Sequence, residues 1–195
     1  MFCKKYDVAV CGGGIAGCAA AIASAQRGMK TVLIENCVIP GGLATSGMVL
    51  VYLPLCDGEG RQVVSGLSER FLKISNKYGP AEIPAEWRKG GKGNRLQAYF
   101  SPASFVLALD EMLTEHGIDL WFDTKIIGAE KTDACRLSSI QVANKSGTGK
   151  SSRRSFVRMQ KRTLPQSFGA ESTRRGSRGD IRGYGVRVDE RITKG

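Results

Sequence analysis

Hydrophobic positions cluster in two different rhythms along the chain. Tyr6 to Cys11 and Thr31 to Ile34 are near-continuous apolar runs rich in valine, isoleucine and leucine, the pattern of strands buried on both faces of a parallel sheet. Between them, Ile15 to about Arg27 carries small apolar residues at helical spacing and ends at Gly28, which predicts a helix with a glycine cap. Together these stretches make one βαβ unit of about 30 residues. Further on, Arg61 to Tyr78 places Val63, Val64, Leu67, Phe71 and Ile74 on one helical face. Pro80 to Gly93 reads as a loop, and Ser101-Pro102 as the N-cap and first residue of a helix running to His116-Gly117. Ile118–Ile127, Leu137–Val142 and Ser155–Val157 read as three strands of a small antiparallel meander. The predicted fold class is α/β: a Rossmann-like dinucleotide-binding βαβ unit with an antiparallel β-meander, incomplete at the C-terminus.

The charge changes this picture only at one end. The net charge of the 195 residues is +11, but residues 151–195 hold 12 Lys or Arg against 4 Asp or Glu, and the first 150 hold 17 against 14. A near-neutral domain with a basic tail is therefore expected, with domain 1–157 followed by a tail over 158–195. Six scattered cysteines and a single histidine, His116, support neither a zinc site nor a redox CxxC pair, so no metal is expected. Scattered thiols fit a reducing, cytoplasmic setting. Lys4-Lys5 before an apolar run that reaches Ala23-Ser24-Ala25 imitates a secretion signal. Three consecutive glycines inside the run favour a phosphate-binding turn instead. No stretch approaches the length of a membrane span, and His116 reads as a favourable charge at a helix C-terminus.

The chemistry lies in Gly12-x-Gly14-x-x-Gly17 at the junction of strand and helix. Gly12 permits the tight turn, Gly14 lets backbone N–H groups approach a pyrophosphate, and Gly17 lets the helix pack closely on the strand. The helix N-terminus offers partial positive charge to the phosphates. Glu35, 18 residues after Gly17 and at the end of the second strand, is placed to accept hydrogen bonds from a ribose diol, and its acidity argues against a 2′-phosphate. A second glycine turn, Gly41-Gly42-Leu43-Ala44-Thr45, suits a flavin better than a nicotinamide.

CGGGIAGCAAAIASAQRG with VLIE, GGLATSG, VYLPLCDGEGRQV, the KYG stretch and the helix after SPASF together resemble the FAD-dependent oxidoreductases of the glutathione-reductase-like flavoprotein superfamily. The resemblance covers residues 6 to about 157. It implies FAD as cofactor, with Gly12, Gly14, Ile15, Ala16 and Gly17 at the pyrophosphate and Glu35 at the adenosine ribose. Gly42, Leu43, Ala44 and Thr45 would lie near the flavin or its linker, and the backbone of Ile126 would meet the adenine. It also implies hydride transfer between a small-molecule substrate and FAD. The paired cysteines of the superfamily's disulfide reductases are absent, so thiol chemistry is not expected.

Members of that family continue into a strand and turn resembling VDATGD, whereas here Val157 is followed by Arg158-Met159-Gln160. Two readings of the tail stay open. It is a basic, disordered segment, or it is an out-of-frame translation of a longer gene, since Met159-Gln160 codons shifted by one base permit Asp-Ala after Val157 when the Arg158 codon ends in G. Without a returning strand, the parallel sheet is expected to keep an unpaired edge. Two other functions remain alternatives to an oxidoreductase: a non-catalytic or truncated dinucleotide-binding module, and nucleic-acid binding through the tail.

Overall fold

A computed structural model describes residues 2–59, 61–80, 82–83, 95–133 and 136–158. In chain order the elements are β1 (Phe2–Cys11), α1 (Ile15–Ala25), β2 (Thr31–Ile34), β3 (Val51–Tyr52), α2 (Gly66–Ile74), β4 (Ala98–Tyr99), α3 (Pro102–Glu115), β5 (Asp119–Trp121), β6 (Lys125–Asp133), β7 (Arg136–Asn144) and β8 (Gly147–Arg158). A single 3-10 turn, Gly42–Ala44, lies between β2 and β3. Six strands form one sheet in the order β5-β2-β1-β8-β7-β6, and β3 pairs with β4 in a separate ribbon.

All four residues of β2 are buried because both faces of the sheet are covered. Leu33, Val8 and Val10 face the main core, where they meet Cys18, Ala21 and Ile22 of α1 and Phe105, Leu109, Met112 and Leu113 of α3. Val32, Ile34 and Ala9 face the other way and pack with Ile140 and Val142 of β7. The buried residues of α1, Gly17, Cys18, Ala21 and Ile22, recur on one helical face, and the first three are small enough to bring the helix close to the sheet. In α3 the buried residues Phe105, Ala108, Leu109, Met112 and Leu113 repeat at three and four positions, as an amphipathic helix requires. Ser101 caps this helix: its Oγ accepts a hydrogen bond from the Ser104 N–H at 3.3 Å, and Pro102 follows at the first turn.

Three sequence expectations need correction. The helix expected over Arg61–Tyr78 begins only at Gly66. Asp57 Oδ1 accepts from the N–H groups of Glu59 and Arg61, and the Val63 N–H donates to Leu55 O, so the backbone of Glu59, Arg61 and Val63 is held outside the helix. The strand expected over Ile118–Ile127 is two strands. Asp123, with φ at +48°, breaks it, sending β5 parallel to β2 and leaving β6 to pair antiparallel with β7. The third correction is the largest. The final strand is not Ser155–Val157 but twelve residues long, and it belongs to both halves of the sheet. Ser152 to Gly147 pair antiparallel with β7, while Gly149 to Arg158 run parallel to β1, ending with Val10 opposite Val157 and Cys11 opposite Arg158. The edge of β1 expected to be open is therefore covered. Residues 159–195, the rest of the tail, and most of the Pro80–Gly93 loop lie outside the described residues.

Candidate FAD-binding site

Four backbone segments meet at the C-terminal ends of β1 and β2. The Gly12 N–H donates to Ile34 O at 2.8 Å, which ties the first glycine turn to the end of β2. The Gly41 N–H donates to Gly13 O at 2.7 Å, and Gly14 bridges to Gly41, which brings the second glycine turn onto the first. The Glu35 N–H donates to Trp121 O, and the N–H groups of Asp123 and Thr124 donate to Cys37 O and Glu35 O, which lays the β5–β6 turn beside the acid. Such a crevice at the carboxyl ends of parallel strands is where open α/β sheets bind ligands.

Each glycine of the first turn has a distinct reason. Gly12 has φ at +111°, a conformation that side chains resist. A Cβ on Gly17 would stand 1.8 Å from Gly12 O, so only glycine lets α1 meet the turn. Gly14 is different. Its backbone is ordinary, with φ at −65° and ψ at 173°, and a Cβ there would meet nothing within 4 Å. Nothing in the protein itself demands glycine at this position. The open space lies at the N-cap of α1, where the first N–H groups of the helix have no partner in its own ladder and the first turn has no acidic side chain. An anion fits there.

Glu35 is 6% exposed. Its Oε2 accepts from the Gly13 N–H at 2.5 Å and its Oε1 from the Cys37 N–H at 2.8 Å. Two backbone donors thus fix the carboxylate at the mouth of the crevice, and a carboxylate has acceptor capacity left for ribose hydroxyls. Gly13 and Cys37 were not singled out from sequence. Gly13 hides inside the glycine run, and its reason is steric: a Cβ would stand 2.9 Å from Glu35 Cβ. Cys18, beneath the turn, donates its thiol to Gly13 O at 3.2 Å, and burial pushes that thiol up to about 12, so it is no nucleophile.

The second turn carries Gly42, Leu43, Ala44 and Thr45. A Cβ on Gly42 would approach Gly14 Cα to 3.1 Å, so these residues lie against the first turn. Thr45 is buried, its hydroxyl donating to Pro40 O at 2.5 Å, while Leu43 is 76% exposed. Ile126 lies two residues beyond Thr124 in β6, paired with Val142, and its side chain packs against the second core. The structure brings Gly12 through Gly17, Glu35 and Gly42 through Thr45 together at the C-terminal ends of β1 and β2, while Ile126 lies in β6, two residues beyond Thr124, whose N–H donates to Glu35 O. His116 stays away: its Nδ1 contacts Met112 O at 2.7 Å at the end of α3.

A strand, glycine turn, helix and second strand ending in a buried acid define a dinucleotide-binding protein of the flavoprotein type. Residues 7–157 match the model of the FAD dependent oxidoreductase family, and the chain belongs to that family. Its cofactor is FAD, and the donors and open space at Gly14, with Glu35 beside them, suit such a group. The chain is 36% identical over 89 residues to the tRNA uridine 5-carboxymethylaminomethyl modification enzyme MnmG of Syntrophotalea carbinolica, covering 40% of this chain and 14% of that enzyme. Among solved structures, a geranylgeranyl bacteriochlorophyll reductase-like protein from Thermoplasma acidophilum superposes with a TM-score of 0.54 at 22% identity, over 80% of this chain and 39% of that one. The Sdh1 complex of Mycobacterium smegmatis gives a TM-score of 0.58 at 15% identity, over 81% and 34%. The chain thus spans less than a fifth of the length of the curated relatives it matches. No helix among the described residues is long and apolar enough to cross a membrane.

Proposed function

We propose that this chain forms the cofactor-binding part of a cytoplasmic oxidoreductase in which a small-molecule substrate exchanges a hydride with FAD. The observation that carries this reading is the unobstructed space at Gly14, above the N-terminus of α1 and within one hydrogen-bonded turn of Glu35. The N–H groups of Ile15, Ala16 and Gly17 would hold the pyrophosphate, Glu35 the adenosine ribose, and the backbone near Ile126 the adenine. Gly42 to Thr45 would flank the flavin or its linker. When bound, FAD supplies the hydride-accepting and hydride-donating chemistry. The protein's contribution is to bind, orient and exclude water.

The test is direct. Purified chain mixed with FAD should bind it and show flavin bands near roughly 375 and 450 nm, whereas NAD should compete poorly. Tight NAD binding without flavin uptake overturns the assignment. A second reading, recognition of nucleic acid, is supported by the 10 basic against 4 acidic residues of the tail over 158–195 and by relatives named as tRNA modification enzymes. It predicts RNA binding that weakens steeply with salt. The domain division at residue 157 rests on the change of composition there. Sequencing the gene beyond codon 157 separates a basic tail from an out-of-frame one, because only the second has flavoprotein-like strands in a neighbouring frame.

A further inference from the structure

The peptide joining Gly13 to Gly14 has glycine on both sides, so its own chain resists rotation little. Three bonds fix it from outside. The Gly13 N–H donates to Glu35 Oε2 at 2.5 Å, and Gly13 O accepts from the Gly41 N–H at 2.7 Å and from the Cys18 thiol at 3.2 Å. Cys18 is fully buried in the main core, which fixes where that thiol stands. Its own N–H donates to Gly14 O at 2.9 Å. One residue therefore holds the carbonyls on both sides of Gly14, the preceding one by its side chain and the following one by its backbone.

The direction of the first of those carbonyls decides where a donor points. Among the described residues the only cis bond is Leu53–Pro54, so the Gly13–Gly14 peptide is trans, with its C=O and N–H on opposite sides. With Gly13 O drawn toward Cys18 and Gly41, the Gly14 N–H is turned away from both. Among the described residues it has no hydrogen-bond partner, and it belongs to a glycine whose Cβ position is unobstructed within 4 Å. Added to the first N–H groups of α1, it makes a concavity of donors of the kind that holds anions. Rotated by half a turn, the same peptide would present its carbonyl oxygen instead.

We propose that Cys18 is a positioning residue for the dinucleotide: its thiol locks the Gly13–Gly14 peptide so that the Gly14 N–H faces the pyrophosphate. The proposal rests on the FAD reading above. Cys18→Ala and Cys18→Ser leave nearly the same space and differ in the hydroxyl, which can replace the thiol as donor to Gly13 O. The two variants are compared for affinity to FAD, to ADP and to adenosine, which keeps the ribose but has no phosphate. Cys18→Ala should bind FAD and ADP about two- to tenfold more weakly than Cys18→Ser, and both should bind adenosine equally. Equal ADP affinity in the two variants overturns the proposal and leaves FAD binding intact, and so does a loss as large for adenosine as for ADP. If the wild-type chain binds neither FAD nor ADP, the FAD reading itself fails, and the role of Cys18 falls with it. If it binds ADP but not FAD, the flavin assignment alone fails and the ADP comparison still decides. Should either variant prove unstable, nuclear magnetic resonance of wild-type chain with isotope-labelled glycine decides. The Gly14 amide, assigned by its loss in Gly14→Ala, should shift with ADP and not with adenosine, and an amide that ADP leaves unmoved refutes the contact.

Discussion

The two glycine turns meet backbone to backbone, yet they do not use every glycine for the same reason. In the second turn the demand is internal. A Cβ on Gly41 would stand 2.4 Å from Thr45 Cγ2, one on Gly47 would stand 2.6 Å from Leu43 Cα, and Gly41 and Gly42 both have positive φ. The first turn mixes two kinds of glycine. Gly13 and Gly17 are held small by neighbouring protein atoms, whereas Gly14 has free space and an ordinary backbone. A glycine that the fold does not need is a mark of something the fold alone does not contain. The turn that reads as one motif in sequence therefore divides into residues that the protein's own atoms hold small and one that they leave unobstructed, where the proposed ligand would sit.

Substitutions can break that division, and the largest effect belongs to Gly17. Gly17→Val drives a side chain into Gly12 O and should destabilise the domain by about 3 kcal/mol or more, measured as loss of cooperative unfolding or of soluble protein. A Gly17→Val variant as stable as wild type would contradict the close approach. Next comes Gly14→Leu, which should leave the melting temperature of the chain without cofactor nearly unchanged while lowering FAD affinity at least about a hundredfold, because the side chain occupies the pyrophosphate's space. Parallel loss of stability would place Gly14 with Gly17 instead. Glu35→Ala should cost about 1–3 kcal/mol of stability by stranding the Gly13 and Cys37 N–H groups, and weaken FAD binding about tenfold. Calorimetry and flavin titration on the same sample separate the two losses.

A pH effect follows from Cys18. Its thiol is raised in the folded protein from an unfolded value near 9 to about 12, so its contribution is complete below about pH 9 and is lost as pH climbs toward 12. Denaturant titrations of wild type and Cys18→Ala should therefore converge with rising pH, by about 1.4 kcal/mol per unit at most. The smallest effect is expected beyond the second turn, where Leu43, Met48, Val49, Leu50 and Leu53 are all at least 40% exposed. Leu53→Ser should move stability by no more than about 0.5 kcal/mol yet raise the concentration at which the chain aggregates, measured by light scattering.

What the sequence made legible was local. Thr31–Ile34 matches β2 residue for residue, Ser101-Pro102 starts α3 as its capping chemistry demands, and Gly28 follows α1 with φ at +76°. The place of Glu35 at the end of β2 was legible too, because its spacing from Gly17 is fixed by a helix and a short strand. What was not legible depends on distant partners. The role of Gly13 is set by Glu35, 22 residues away, and no pattern within the turn announces it. The break at Asp123 comes from bonds of residues 123 and 124 to Cys37 and Glu35, which outweigh the strand-like run of Ile118 to Ile127. The length of β8 was concealed by its polar composition. Residues such as Lys150 and Ser151 do not look like the inside of a sheet, but two flanking strands supply their backbone with partners regardless of side chain.

That shared strand also sets a clock. β1 leaves the ribosome well before its neighbour on one side, whose pairing residues run from Gly149 to Arg158. At roughly 5–20 residues per second, the first strand waits on the order of ten seconds for a partner nearly 150 positions downstream. During that interval α1 and β2 can gather beside it, but the central sheet cannot close. Closure of this sheet thus waits on the residues of β8.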